Sequence, residues 1–490
     1  MRGRRIRSHL PAVVLAFVLA CQAPNVASAQ LVTPRTVPVQ QSGQFDIFPS
    51  QRAGMAGVSL ALDDTLLDPF VNPAKATRLR GVTVFTELGM HSVTEGGGGG
   101  NTFPVGAMAS RGAWSAGGLI ALQDLSSDVS NLRTGDHRAK NQYASVMLAR
   151  RFRDGLSVGV SGYHSRLEAL DGMGALYAGS DSIGLSGRIS DVRAGIMKEW
   201  ANGRSAELVL LHNRTDITHD VRFPINSWDP ATRTFIAVPR FEHNDDRGRV
   251  VGAHTELTTA PRDVDSTRFG FLATVNRLTH PKIPNYRFSN LPRDPGTTYA
   301  FNAGVGVGKE VRRWALGVDV LYEPMFSHTW AEAGPGATDE SGTPIPADTK
   351  TIENRFRFSN VKVAAGVSRD FAATADTSVF MGVQFGLTVY RNTYRLRQED
   401  NLSGAVRHQR VGWTEWGPTL GLRVRARAVQ VSYSMRLNCA PAACLPQGDD
   451  VAVTAPSPGV IASPDARLGL DDFGHTLVQK FSVTLPIHRW

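Results

Sequence analysis

Cysteine is scarce: the 490 residues contain three. Cys21 falls in an N-terminal export segment, so Cys439 and Cys444 are the pair that remains. No histidine lies near them, which weakens a metal reading. In an exported protein two cysteines this close are expected to form a short-loop disulfide. Long apolar runs are missing as well. Beyond the N-terminal segment no stretch approaches the ~20 apolar residues that a membrane-spanning helix needs. That argues against a helical membrane protein, but not against a membrane β-barrel, whose lipid-facing and water-facing residues alternate and average out. Catalytic signatures are equally thin. His164-Ser165 and His212 are pieces of a serine–histidine pair without an identifiable third residue, and thirteen histidines over this length make such neighbours ordinary. Asp245, Asp246 and Arg247, like Asp449-Asp450, lack calcium-loop spacing and read as solvated charges. No catalytic residue, metal or cofactor is expected.

What is present begins with a secretory signal over residues 1–29. Arg2, Arg4, Arg5 and Arg7 give its positive end, residues 10–20 its apolar core, and Ala27-Ser28-Ala29 its cleavage site. The mature chain then starts at Gln30. A rival lipoprotein-type signal at Val18-Leu19-Ala20-Cys21 is poorly served by Leu19. Four arginines leave with the signal, so the formal charge falls from +9 to +5. That mild excess is no argument for a nucleic-acid partner, and it suits an anionic lipid surface.

After residue 80 the chain alternates with a period of two. In 312–323, Trp314, Leu316, Val318, Val320 and Tyr322 point one way; Ala315, Gly317, Asp319, Leu321 and Glu323 point the other. Aromatic residues bracketing an aliphatic centre suit a strand facing lipid, and the small and acidic face should see water. Segments 156–165, 297–308, 379–390 and 428–437 repeat the scheme. Strands are expected near 81–93, 101–109, 113–124, 142–152, 155–166, 185–200, 205–219, 247–259, 266–280, 297–309, 312–324, 354–369, 377–391, 412–425, 428–437 and 477–490. Short turns such as 153–154 and 201–204 alternate with long connections at 125–141, 167–184, 220–246, 281–296, 325–353, 392–411 and 438–476. A soluble sandwich has no reason to keep that order, whereas an outer-membrane barrel does. The hairpin 81–109 is the weakest, being interrupted by Gly96 to Gly100 and by Pro104. The expected fold is all-β: an antiparallel transmembrane β-barrel of 14–16 strands over 81–490. Its last strand ends in Trp490, like the C-terminal signal read by the barrel-insertion machinery, with a bulge or frayed end at Pro486.

Residues 30–80 differ. The stretch 54–81 is rich in small residues, and Asn72-Pro73-Ala74 reads as a helix start: Asn72 caps free amide groups, and Pro73 fits the first helical position. Arg78 and Arg80 fall near the end of that helix, where its dipole favours cations. The stretch resembles the N-terminal hatch of the FadL-type and PorV-like outer-membrane barrels, through Gly54, Gly57, the acidic pair Asp63 and Asp64, and Asn72, Pro73 and Ala74. The resemblance is specific over 54–81 and architectural elsewhere. It implies a hatch over 30–80 inside the barrel lumen. It also implies passive transport of a hydrophobic or amphipathic small molecule, such as a fatty-acid-like or hydrocarbon ligand.

Two connections expose apolar groups and are candidate capture loops. One carries Leu170, Met173, Leu176 and Tyr177; the other carries Phe223, Trp228 and Phe235. Loops folding over the barrel mouth are the other reading of both. The expected setting is the outer membrane of a Gram-negative-type bacterium. The expected partners are the lipid bilayer, the hydrophobic ligand and the insertion machinery, for a chain acting as a monomer. A PorV-like scaffold for secreted proteins and a general porin are the alternative functions.

Overall fold

A computed structural model describes residues 46–93, 99–127, 137–169, 182–229, 234–259, 267–280, 296–333, 336, 342–372, 379–426, 429–439 and 475–487. Sixteen strands follow in order: β1 (Gly81–Val93), β2 (Gly99–Arg111), β3 (Trp114–Ser127), β4 (His137–Arg151), β5 (Leu156–Leu167), β6 (Ser182–Glu199), β7 (Ser205–Asp229), β8 (Thr234–Thr258), β9 (Arg268–His280), β10 (Gly296–Val311), β11 (Trp314–Glu332), β12 (Lys350–Ala372), β13 (Val379–Asp400), β14 (Val406–Ala426), β15 (Val429–Cys439) and β16 (His475–Ile487). Each pairs antiparallel with its neighbours in sequence, and β16 closes onto β1. Closure leaves no sheet edge, which is the condition for a sheet to cross a bilayer.

The alternation sets the two faces. Leu316, Val318 and Val320 are exposed on the outside of β11, while Ala315 and Asp319 are buried on the inside. Ile120, Val146 and Val192 extend the exposed apolar band around the barrel, at 67%, 65% and 59% exposure. In water a surface of this kind would be a liability; against acyl chains it is the solvated face.

Hairpin 81–109 is formed. Its β1–β2 register lapses opposite Pro104, between the pairs Thr86↔Val105 and Gly89↔Thr102, where a proline has no N–H for the ladder. At the other end β16 keeps register with β1 through Pro486↔Thr83, so the expected bulge is absent there; Trp490 lies outside the described residues.

Two expected loops are strands. Segment 220–246 belongs to β7 and β8, joined by 230–233, and 392–411 belongs to β13 and β14, joined by 401–405. Strands of 25 residues reach roughly 80 Å, far more than the 9–11 residues that cross a membrane, so the β7–β8 hairpin stands well clear of it. Past Leu210 the outward face turns polar, with His212, Arg214, Asp220 and Arg222 exposed, while Leu211, Ile217 and Val221 stay buried inward. Phe223, Trp228 and Phe235 therefore sit on paired strands and not on a loop. Leu170, Met173, Leu176, Tyr177 and Cys444 lie outside the described residues, as does the signal segment; Cys439 ends β15.

Candidate functional site

Residues 46–80 bond to strands all around the barrel. Lys480 of β16 donates to the Asp46 carbonyl at 2.7 Å, and Gln384 of β13 to the Gln51 carbonyl at 2.8 Å. Asp319 of β11 accepts from the Ser59 amide at 2.8 Å, and Arg193 of β6 donates to the Phe70 carbonyl at 3.2 Å. A segment tied to strands so far apart in a closed barrel lies inside it. The segment is short-turned: 3-10 helices at Ala53–Met55 and Pro73–Arg78 flank a four-residue helix, α1, at Asp68–Val71.

Glycines on the inner wall make room for it. A side chain at Gly421 would meet the Gly54 Cα at 3.0 Å, and one at Gly366 would meet the Met55 carbonyl at 2.5 Å. Gly159 faces Pro73 and Gly195 faces Asn72 with no space for even one added carbon. Gly317 is aimed at Val58, 2.5 Å from where its Cβ would stand, so it faces this segment and not open water. Gly57 needs its lack of side chain for another reason, a backbone φ of +69°.

Asn72 is fully buried and does two things. Its Oδ1 accepts from the Ala74 amide at 3.0 Å, the cap expected from sequence, and its Nδ2 donates to Glu207 of β7 at 2.8 Å. The acidic pair divides its work. Asp64 gathers the segment's own backbone, accepting from the Ser50 hydroxyl at 2.6 Å and from the Gln51, Leu66 and Leu67 amides. Asp63 faces outward to cations, with Arg78 and Arg268 of β9 each 2.9 Å away. Burial works against its charge, but the two guanidinium groups outweigh that and hold its carboxyl below the usual range.

Lys75 is the buried centre of charge. Its ammonium lies 2.9 Å from Glu207, 3.6 Å from Glu256 of β8 and 3.8 Å from Asp68. The surrounding carboxylates overcome the effect of burial and raise its pKa. Asp68 is pushed up to about 7, first by burial, then by Asp64, Asp63 and Glu207, with Lys75 opposing. Arg78 bridges to Glu199 of β6 at 2.8 Å, so its role is an anchor to the wall more than a complement to a helix dipole.

The lumen has two characters. On the β1–β7 side, Phe85, Met108, Leu119, Tyr143, Met147 and Tyr163 pack with Ile47, Phe48, Leu66 and Phe70 of the inner segment. Phe48 and Phe70 stand 4.8 Å apart, and Phe70 meets Phe85 edge-on at 6.2 Å. The same cluster continues along the wall through Leu167, Leu185, Ile189 and Ile217. Leu185 lies ten residues along β6 from Gly195, about 33 Å along the strand and about 25 Å in height from the level of Asn72 at a barrel's usual tilt. On the β8–β14 side the inner face is mostly polar, with Glu256, Thr274, Asn276, Asp319, Glu323 and Asn392 buried.

The structure thus places Gly54, Asp64, Asn72, Pro73 and Ala74 buried within the inner segment, with Asp63 half-buried and Gly57 exposed. It does not join the histidine–serine pieces: Ser165 is fully buried inward, while His164 is exposed and shares a hydrogen bond with Ser190. His212 is also exposed, on the outside of β7. Among the described residues no group of three or more histidine, cysteine or acidic side chains could hold a metal. The sequence reading missed Lys75, Glu207, Glu256 and Arg193. For Glu207, Glu256 and Arg193 the only signal was a charge placed on the inward side of an alternating strand, as in Glu207 beside Val209 and Leu211; Lys75, in the short helix after Asn72, has no such signal.

A closed sixteen-strand barrel with an apolar outer band defines an outer-membrane-type β-barrel protein. No family model matches the chain, and no curated protein does. Among solved structures it is similar to a Pseudomonas aeruginosa FadL homologue at 10% identity, over 90% of this chain and 98% of that one, with a TM-score of 0.44. It is similar to the Pseudomonas putida toluene transporter TodX at 11% identity, over 89% and 97% of the two chains, TM-score 0.38. A bacterial polysaccharide outer membrane secretin is similar at 9% identity, over 83% and 99%, TM-score 0.38. Likeness at this level assigns no ligand.

Proposed function

We propose that the protein is an outer-membrane channel for passive uptake of hydrophobic or amphipathic small molecules, with residues 46–80 as an internal hatch. The observation that carries the proposal is the apolar inner wall of β1–β7, which runs from the inner segment toward the long-hairpin end of the barrel. A channel for polar solutes has a polar, water-filled interior. Here an aliphatic and aromatic cluster runs along one wall among buried polar side chains, while carboxylates, amides and hydroxyls predominate on the facing wall around Phe356, Phe358 and Leu396. Such a mixed lumen suits a molecule with an apolar body and a polar end. The hatch sits across that wall through Phe48 and Phe70 and is held by the Lys75 and Asn72 anchors.

Uptake into proteoliposomes of labelled fatty acids, alkanes and sugars tests the reading. Saturable entry of the apolar probes with exclusion of sugars is expected. Entry of sugars at rates matching the apolar probes would make the protein a general porin. If neither class enters and deletion of 45–78 opens no conductance in a planar bilayer, the transport reading fails.

A further inference from the structure

Past the apolar band, the outer surface of β12–β14 changes chemistry within a few residues. Val363, Val389 and Trp416 form one cross-strand row on that face. Farther toward the hairpin end the same face carries Arg391, then Arg357, Arg395 and Arg410 opposite one another, then Arg355, Arg397 and His408. All seven side chains are exposed. Their inward-facing neighbours Phe356, Phe358 and Leu396 are buried, which fixes the orientation.

Like charges directly opposite in a sheet destabilise it. The farther row is partly matched, since Arg355 lies 3.4 Å from Glu353 and Arg397 lies 2.5 Å from Glu399. Arg357, Arg395 and Arg410 have no ion-pair partner among the described residues. The outer face of β6–β8 is built otherwise: Asp216 stands 3.0 Å from Arg188, 3.5 Å from Arg247 and 4.0 Å from Arg214. There three guanidinium groups share one carboxylate, whereas among the described residues the row of three cations on β12–β14 has no carboxylate at all.

Strands lie about 4.8 Å apart, so the row spans about 10 Å. Arg357 is four residues past Val361, about 13 Å along the strand and about 10 Å in height at a barrel's usual tilt. That is above the ~5–8 Å occupied by a phospholipid head group on each side of the hydrocarbon. It is the height of phosphates carried on a sugar. We propose that Arg357, Arg395 and Arg410 bind the phosphate groups of a phosphorylated glycolipid in the outer leaflet, fixing the barrel's depth and orientation there. The proposal rests on the outer-membrane placement of the barrel and not on what passes through it.

The test is glycolipid retention by the full barrel in phosphatidylcholine discs containing bisphosphorylated lipid A, read by native mass spectrometry. Each arginine near an anionic surface contributes on the order of fivefold. The triple variant Arg357→Gln, Arg395→Gln, Arg410→Gln should therefore bind on the order of 100-fold more weakly. Wild type should discriminate likewise against dephosphorylated lipid A and against phosphatidylglycerol, a comparison that does not depend on any variant folding. Heat-modifiability of the same samples shows separately whether the barrel has inserted. Equal retention of the phosphorylated and dephosphorylated lipids overturns the proposal. So does equal loss from Arg188→Gln with Arg214→Gln, which would place the contact elsewhere.

Discussion

Replacing Lys75 by methionine keeps most of the length of the side chain and removes its charge. Glu207, Glu256 and Asp68 would then surround a neutral group, with Glu207 losing a partner at 2.9 Å. Breaking a buried ion pair from one side costs about 3–5 kcal/mol, because the remaining charge is left without compensation. Here that cost falls on the docking of the inner segment. The barrel's own ladder of hydrogen bonds is untouched, so Lys75→Met should insert and stay heat-modifiable. The segment should loosen, seen as protease cleavage within 46–80 and as higher conductance in a planar bilayer. The pH dependence has a definite sign. Asp68 is held at about 7, above its ordinary 3.8, so its ionised form costs stability above pH 7 and that cost is relieved as the pH falls through 7. Wild type should therefore dock more firmly at pH 6 than at pH 8. Without Lys75 the cation opposing the shift is gone, and the defect should be greatest at pH 8. A variant that conducts like wild type at pH 8 would refute the idea that this cluster holds the segment.

Val318→Arg, on the exposed face of β11, should cost about 2–4 kcal/mol of folding stability in bilayers, measured by reversible denaturation. Gly317→Arg, one residue away, should spare insertion but displace Val58 and Leu62, so it should raise conductance; equal loss of folding from both would mean the faces are misassigned. Gly195→Val has no room beside Asn72 and Pro73 and should expel the segment as fully as deletion does, whereas the same change at Gly162, where an added carbon would meet only Val146 at 4.0 Å, should leave conductance unchanged.

Much of the barrel was legible because lipid enforces a pattern. Trp314 to Tyr322 must be apolar at every second place, and no helix or loop produces that run. Where lipid ends, the constraint ends. The strand expected at 205–219 stops short for this reason: Asp220 and Arg222 occupy the outward side of β7 above the membrane, and the segment that begins with them reads as a polar loop. The same holds for Arg391 to Arg397 on β13. The cap at Asn72 was legible because capping is local chemistry between residues two apart. Its bond to Glu207 was not, since a partner 135 residues away depends on the barrel's closure and on which inward position falls at that height. Gly159, Gly195, Gly366 and Gly421 have nothing in the sequence to set them apart from the other glycines of the chain. They are the imprint of the inner segment on the wall, readable only once the segment is seen against them.

The two bonds of Asn72 can be separated. Asn72→Ala removes both: the cap, about 0.5–2 kcal/mol, and a hydrogen bond to a charged group, about 1.5–3 kcal/mol. Asn72→Asp removes only one. Aspartate caps as well as asparagine does and keeps an acceptor for the Ala74 amide, but it has no donor for Glu207 and sets a second carboxyl 2.8 Å from it. If local capping holds the segment, Asn72→Asp should gate like wild type. If the strand anchor holds it, Asn72→Asp should leak at least as much as Asn72→Ala, and more at high pH, where the introduced carboxyl is ionised. Because Lys75 also sits on Glu207, the anchor and the ion cluster form one unit, and the second outcome is expected. Adding Glu207→Gln to Asn72→Asp reverses donor and acceptor and should recover a good part of the gating. Single-channel conductance of the four proteins at pH 6 and pH 8 decides between the two. Wild-type gating by Asn72→Asp at pH 8 would leave the cap as the hold on the segment and dismiss the contact with β7.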